Sequence, residues 1–145
     1  MASGRRTSVK RAVAPGYSGK TLADKLGLKP ATRIAVIHGP KELPAWLAPL
    51  PKGAKLVGGR SDNADCVLHF ASSRAPFARE MTALVNTLPP GAVYWICWPK
   101  KSSGVATDIS EDLLRALVLP TGWVDVKVCA VSEVWSGLKF LRRRS

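Results

Sequence analysis

Apolar positions in this chain change period several times, and each change marks a new element. Arg33 to His38 is β-branched and apolar, and Gly39-Pro40 closes the run because proline cannot donate to a central ladder. A short extended run follows at Lys55 to Gly58, and another at Asp65 to Phe70. The second of these is apolar almost throughout, as suits a strand covered on both faces. The period then becomes helical: Phe77, Met81, Leu84, Val85 and Leu88 recur at i, i+4, i+7, i+8 and i+11 behind Ser73, which predicts a helix capped by Ser73 with one stripe on a sheet. Pro89-Pro90-Gly91 stops it and opens a further apolar run, Ala92 to Trp98, whose two apolar faces predict a central strand.

The remaining elements are shorter. Ser18 is positioned to cap a helix carrying Leu22 and Leu26 one turn apart, with Gly27 at its end. Residues Pro44 to Leu50 predict a brief helix burying Trp46, Leu47 and Leu50. Ser110 caps a helix with Glu111 and Asp112 in its first turn, where the helix dipole favours acids, and with Leu113, Leu114, Leu117 and Val118 on its buried side. Pro120 and Gly122 end it. Val124, Val126, Val128 and Ala130 then alternate with Asp125, Lys127 and Cys129, and a second alternation runs from Leu138 to Arg142. The connection from Ser132 to Gly137 is too short for a parallel crossover, so this pair is an antiparallel hairpin. The order α, β, α, β, β, α, β, α, β, β predicts a three-layer α/β fold of Rossmann type, its sheet mostly parallel with a C-terminal antiparallel hairpin.

Length and charge refine this picture. The 145 residues suit one domain, expected over 15–145, behind a basic arm of residues 1–14 expected to be disordered. No run approaches the roughly 20 apolar residues of a membrane span, and no apolar stretch follows the basic start, so neither a signal peptide nor membrane association is expected. Cys66, Cys97 and Cys129 lie far apart in apolar runs without metal-ligand spacing, which predicts free thiols, no metal site and a cytoplasmic protein. The net charge is +12, but Arg5, Arg6, Lys10 and Arg11 in residues 1–11, and Lys139, Arg142, Arg143 and Arg144 in residues 139–145, are accompanied by no acid. Eight of the twelve charges therefore sit at the two ends, where they can hold nucleic-acid phosphates without sequence preference.

Leu88-Pro89-Pro90-Gly91-Ala92 leading into a central strand, a helix and a terminal hairpin resembles the second half of S-adenosylmethionine-dependent methyltransferases. That family places a Gly-rich turn after its first strand and an acid at the end of its second. Here the first turn reads His38-Gly39-Pro40-Lys41-Glu42 and the second strand ends in Gly58-Gly59, so the resemblance implies the fold without the usual cofactor cradle. From Pro15 to Arg142 the chain also resembles a bacterial, cytoplasmic family catalogued as a domain of unknown function. That resemblance rests on Gly16-Tyr17-Ser18-Gly19, Leu26-Gly27-Leu28-Lys29-Pro30, Trp98-Pro99-Lys100-Lys101-Ser102-Ser103-Gly104, Val124 to Val131, and Trp135-Ser136-Gly137-Leu138-Lys139-Phe140. It transfers no activity, and it leaves catalysis and any cofactor open.

A parallel sheet brings four loops to its carboxyl edge, where open α/β sheets bind ligands: His38 to Lys41, Ser72 to Arg74, Pro99 to Gly104, and Glu133 to Ser136. Lys100, Lys101, Ser102 and Ser103 offer cations, hydroxyls and backbone N–H groups to a phosphate or carboxylate. Trp135 and Ser136 are candidates to flank the ligand, and His38 or Glu133 to act as a base or hydrogen-bond partner. His69, deep in a strand, reads as a core residue, as do Trp95, Trp98 and Trp123. No Ser-His-Asp order and no G-x-x-x-x-G-K motif occurs. The expected function is a non-catalytic domain recognising an anionic small molecule or an acidic protein surface at the carboxyl edge. The alternatives are a divergent methyltransferase-like enzyme and a nucleic-acid-associated protein using its basic termini.

Overall fold

The computed structural model describes residues 20–58 and 63–143. The basic arm, the Ser18 cap and Gly59 lie outside them. Ten helices and strands follow in the order read from the pattern: α1 (Leu22–Lys25), β1 (Arg33–Ile37), α2 (Leu43–Leu47), β2 (Lys55–Gly58), β3 (Cys66–Phe70), α3 (Arg74–Thr87), β4 (Val93–Pro99), α4 (Glu111–Val118), β5 (Trp123–Ala130) and β6 (Trp135–Arg142). The strands form one sheet in the order β2-β1-β3-β4-β6-β5. Strands β1 to β4 are mutually parallel, and β6 runs antiparallel to both β4 and β5. This is a mostly parallel, Rossmann-like sheet with a C-terminal hairpin.

Two apolar layers cover the sheet. On one face α3 and α4 set Phe77, Met81, Leu84, Leu114 and Val118 against Val67, Tyr94, Ile96 and Phe140. On the other, α1 and α2 bring Ala23, Leu26, Leu43 and Leu47 over Ile34, Leu68, Phe70 and Trp95. Strand β3 is buried at every position and β4 at all but its first residue, as their continuous apolar runs require. No helix among the described residues is long and apolar enough to cross a membrane.

Two caps are not those the sequence suggested. Helix α1 starts at Thr21, whose hydroxyl accepts the Asp24 N–H while the Asp24 carboxylate accepts the Thr21 N–H, a reciprocal box that satisfies two donors at once. Ser73 stands at the cap position of α3, but its side chain makes no capping bond. Asp108, from the loop after β4, accepts the Arg74 N–H at 2.7 Å. A carboxylate at a helix N-terminus also meets the positive end of the dipole, an advantage the neutral Ser73 hydroxyl lacks.

The β5 pattern needs a larger correction. Its valines alternate in sequence but share no face, because a bulge at Val126 breaks the register: Asp125 pairs with Phe140, and Lys127 with Lys139. Val124 lies opposite Leu141 and Val128 opposite Leu138, β6 residues three apart and therefore on opposite faces of the sheet. With β5 at the sheet edge, Val126 and Val128 remain 47% and 46% exposed.

Candidate functional site

The chain passes from β1 to β2 on one side and then returns to place β3 on the other, so the order reverses between β1 and β3. Above such a reversal the flanking loops separate and leave a crevice at the carboxyl ends of the strands. Histidines occupy both sides of it. His38 follows β1 directly and His69 is the penultimate residue of β3.

His38 has φ +56°, a left-handed conformation uncommon outside glycine. Ile37 already packs toward α3, so an extended continuation would turn the next side chain toward α2. The left-handed residue instead returns the imidazole to the α3 side, where His38 Nε2 lies 2.7 Å from Glu80 Oε2. The other oxygen, Glu80 Oε1, lies 2.8 Å from His69 Nε2, and His69 Nδ1 lies 2.8 Å from the Tyr94 hydroxyl. One hydrogen-bonded chain thus runs Tyr94–His69–Glu80–His38 from the core to the surface. His69 is fully buried, Glu80 one-third exposed and the His38 side chain 62% exposed.

Proton positions follow from the electrostatics. Burial pushes the Tyr94 hydroxyl well above its ordinary range, so it keeps its proton and donates to His69 Nδ1. Burial also pushes His69 below 6.5, against the opposing pull of Glu80, so the ring is neutral with its remaining proton on Nε2. Burial raises the Glu80 carboxyl, but the hydrogen bonds from His38 and His69 outweigh it and hold the group below its ordinary value. Glu80 is therefore an anion accepting from both rings.

This arrangement fixes the sign of a pH effect. A histidine whose value is depressed on folding resists a proton that the unfolded chain takes up, so stability falls as the pH drops below about 6.5. The melting temperature is expected to decline between pH 7.5 and 5.5, and His69→Gln is expected to flatten that decline. Calorimetry across the interval checks it; parallel curves would exclude His69 as the source.

Lys100, Lys101, Ser102 and Ser103 sit at the same pole, in a tight turn closed by Gly104 at φ +78°. Its donors are largely engaged: Lys100 N–H donates to the Val134 carbonyl, Ser103 N–H to Lys100, Gly104 N–H to Lys101 and Val105 N–H to Ser103 Oγ. The turn therefore presents cations and the exposed Ser102 rather than a ring of amides. The hairpin turn is also here, with Trp135 opposite Pro99 in the ladder. Trp135 and Ser136 face opposite sides of the sheet. Trp135 packs edge-on against Phe70 at 5.0 Å on the α2 side, while half-buried Ser136 is paired opposite Trp98, which packs toward α3 and α4. Glu133 is exposed at the turn, and Ser132 Oγ accepts the N–H groups of Val134 and Trp135.

Register gives the span of the site. Ile37, His69 and Ile96 are aligned across β1, β3 and β4. Lys100 therefore stands two strand spacings across and three residues further along than His38, a separation of about 14 Å at ~4.8 Å per strand and ~3.3 Å per residue. A nucleotide can span that backbone separation.

Glu80 and Asp108 escaped the sequence reading, which found carboxylates near this edge only in Glu42 and Glu133. A signal for Glu80 existed: it lies three residues after Phe77 and four before Leu84, on the flank of the apolar stripe, where a carboxylate needs a partner. His69 is a core residue, as expected, but one with both nitrogens engaged. No group of three His, Cys, Asp or Glu residues suited to a metal ion occurs among the described residues. Cys66 and Cys97 are buried, which pushes Cys66 up to about 12 and leaves it a thiol rather than a nucleophilic thiolate.

The turn after β1 lacks the Gly-rich sequence by which this fold usually holds S-adenosylmethionine. The only glycine in the turn after β1 is Gly39, where a Cβ would lie 2.4 Å from Val36 Cγ1 and 3.3 Å from Leu43 Cδ2. The space its missing side chain leaves is thus taken by the chain's own side chains. Strand β2 ends at Gly58 without an acid among the described residues.

No family model matches the chain. No curated protein matches it either. Solved structures of the same fold do: an S-adenosylmethionine-dependent methyltransferase from Aquifex aeolicus is 11% identical with a TM-score of 0.55, covering 81% of this chain and 85% of that one. The DhpI–SAH complex is 10% identical with a TM-score of 0.56, covering 81% and 79%. A protein of the NADB-Rossmann superfamily from Streptococcus agalactiae is 10% identical with a TM-score of 0.58, covering 89% and 71%. At these identities the likeness is one of fold: the chain has the Rossmann-like architecture that methyltransferases share.

Proposed function

We propose that the protein is a binding domain that holds an anionic ligand of nucleotide size across the carboxyl ends of β1, β3 and β4. The observation that carries this reading is the reversal of strand order at β1 and β3, with an exposed His38 pinned beside it and the Lys100 backbone, at the head of the lysine turn, about 14 Å away. His38 contacts one end of the ligand and the lysine turn its anionic end. The architecture shared with S-adenosylmethionine-dependent enzymes supports a nucleoside-sized occupant. The likeness of residues 15–142 to a bacterial family of cytoplasmic proteins belongs to the same reading.

A thermal-shift panel of nucleotides, nucleosides, S-adenosylmethionine and dicarboxylates tests it. A ligand at 100 times its Kd should stabilise the native protein by about 2.7 kcal/mol. The variant K100A/K101A/H38N should lose most of that stabilisation while melting near wild type in the ligand's absence, because the lysine turn is surface-exposed and asparagine tolerates the left-handed conformation. Trp135 is unsuited to the test, since its removal would strip packing from Phe70. An empty panel, or a shift that survives in the triple variant, rejects the proposal.

The chain from Tyr94 to His38 favours a second reading, a divergent methyltransferase-like enzyme. A carboxylate that orients one histidine and is itself oriented by a buried second histidine is a way to prepare a base. His38→Asn separates the two readings: turnover lost with binding retained supports the enzyme.

A further inference from the structure

We propose that the α1-side face of the β5–β6 hairpin is a docking surface for the sugar–phosphate backbone of a nucleic acid, with Lys25, Lys127 and Lys139 as its phosphate contacts. This surface is distinct from the carboxyl-edge site and does not depend on it.

The bulge at Val126 creates the surface. Asp125, just before it, pairs with Phe140 on the α4 side, and two residues of strict alternation would place Lys127 beside it. The extra residue reverses the phase, so Lys127 lies directly opposite Lys139 on the α1 side. Lys139 Nζ reaches over α1, 3.6 Å from where a Cβ on Gly27 would stand. Lys25, in the last turn of α1, and Lys127 both act electrostatically on Cys129, two residues beyond Lys127, which joins the three cations into one patch.

Like charges placed directly opposite in a sheet are destabilising, so a fold that builds such a pair through a bulge carries a local conflict. Among the described residues no carboxylate lies within ion-pairing distance of Lys25, Lys127 or Lys139. On the opposite face of the same hairpin the charges are balanced, with Asp125 2.8 Å from Arg115, which also pairs with Glu111 at 2.6 Å. The unbalanced face calls for an external anion.

The patch fits a repeating polyanion better than a small anion or a protein. Three flexible cations on an open strand pair make a track, and no amide donors converge there as they do in a phosphate pocket. A protein interface would have an apolar centre, yet the exposed large apolar residues among those described are Val105 in the loop after β4, Val126 at the bulge and Val128 on the other face. The chain preceding α1 adds Arg5, Arg6, Lys10 and Arg11 with no acid before Asp24, so the same polyanion would meet further cations in sequence with Lys25.

The test measures binding of the full chain to a labelled 20-nucleotide RNA and a 20-base-pair DNA by fluorescence anisotropy between 50 and 200 mM salt. Removing two phosphate contacts should flatten the slope of log K against log salt by about 1.4 for the single strand and about 1.8 for the duplex. K127A/K139A is expected to show that loss, and K52A/K55A, a double variant of exposed lysines at the far edge of the sheet, is not. K127A/K139A should also melt no lower than wild type, since it relieves repulsion. Absence of binding to both probes at 50 mM salt, or a slope changed no more in K127A/K139A than in K52A/K55A, overturns the proposal. The second result would leave all retention to the remaining basic residues, the arms among them.

Discussion

Replacing His69 by phenylalanine is expected to destabilise the protein by about 2–4 kcal/mol, although the new ring is apolar and of similar size, because two polar groups lose their partner at once. The Tyr94 hydroxyl is fully buried with His69 Nδ1 as its acceptor, and Glu80 Oε1 loses the donor that holds it against the sheet. Adding Tyr94→Phe should therefore restore stability rather than lower it further, recovering about 1–2 kcal/mol by removing the stranded hydroxyl. Urea titrations of the two single variants and the double variant close the cycle. Additive losses would mean that the two residues are independent core positions and that the Tyr94–His69 hydrogen bond contributes nothing.

Trp95→Ala carries the other large expected loss, about 3–5 kcal/mol. The indole is fully buried on β4, its N–H donates to the Leu26 carbonyl at 3.0 Å and so ties α1 to the sheet, and its ring lies over Gly137, where a Cβ would stand 3.1 Å from it. Trp123 is equally buried, but its Nε1–H has no acceptor among the described residues. The conservative changes should therefore diverge. Trp95→Phe leaves the Leu26 carbonyl without its donor, whereas Trp123→Phe removes a donor that was unpaired, so the first should cost at least 1 kcal/mol more than the second. Equal denaturation midpoints for the two would show that the Trp95 hydrogen bond contributes nothing.

Both predictions concern partners that are distant in sequence, and that is where reading the chain by itself reached its limit. Local pattern placed the elements well: the 3.6-residue stripe of α3, the apolar runs of β3 and β4, and the short hairpin loop each reflect a burial requirement that neighbouring residues express together. The α1 start was displaced because Thr21 and Asp24 form a reciprocal cap close to the expected Ser18. Ser73 stands at the α3 cap position as expected, but the acceptor there is Asp108, from another loop 34 residues away.

The placement of the candidate residues was half legible on the same grounds. That the His38 loop, the lysine turn and the Trp135 hairpin share one pole followed from strand polarity, and the Lys100 N–H to Val134 bond joins the last two. That Trp135 supports Phe70 on one face while Ser136 faces the other did not follow, because the role of a half-buried indole depends on what packs beside it.

Hydrophobic periodicity, proline and glycine placement and loop length determined the element order, the mixed sheet and which loops share its carboxyl edge, since burial and backbone sterics act over a few residues. Tertiary structure alone decided that Glu80 joins His38 to a buried His69 and Tyr94, and that a one-residue bulge turns Lys127 to face Lys139. Hydrogen bonds and charge pairs act over about 3 to 5 Å in space regardless of separation along the chain, so only the folded register shows which groups meet.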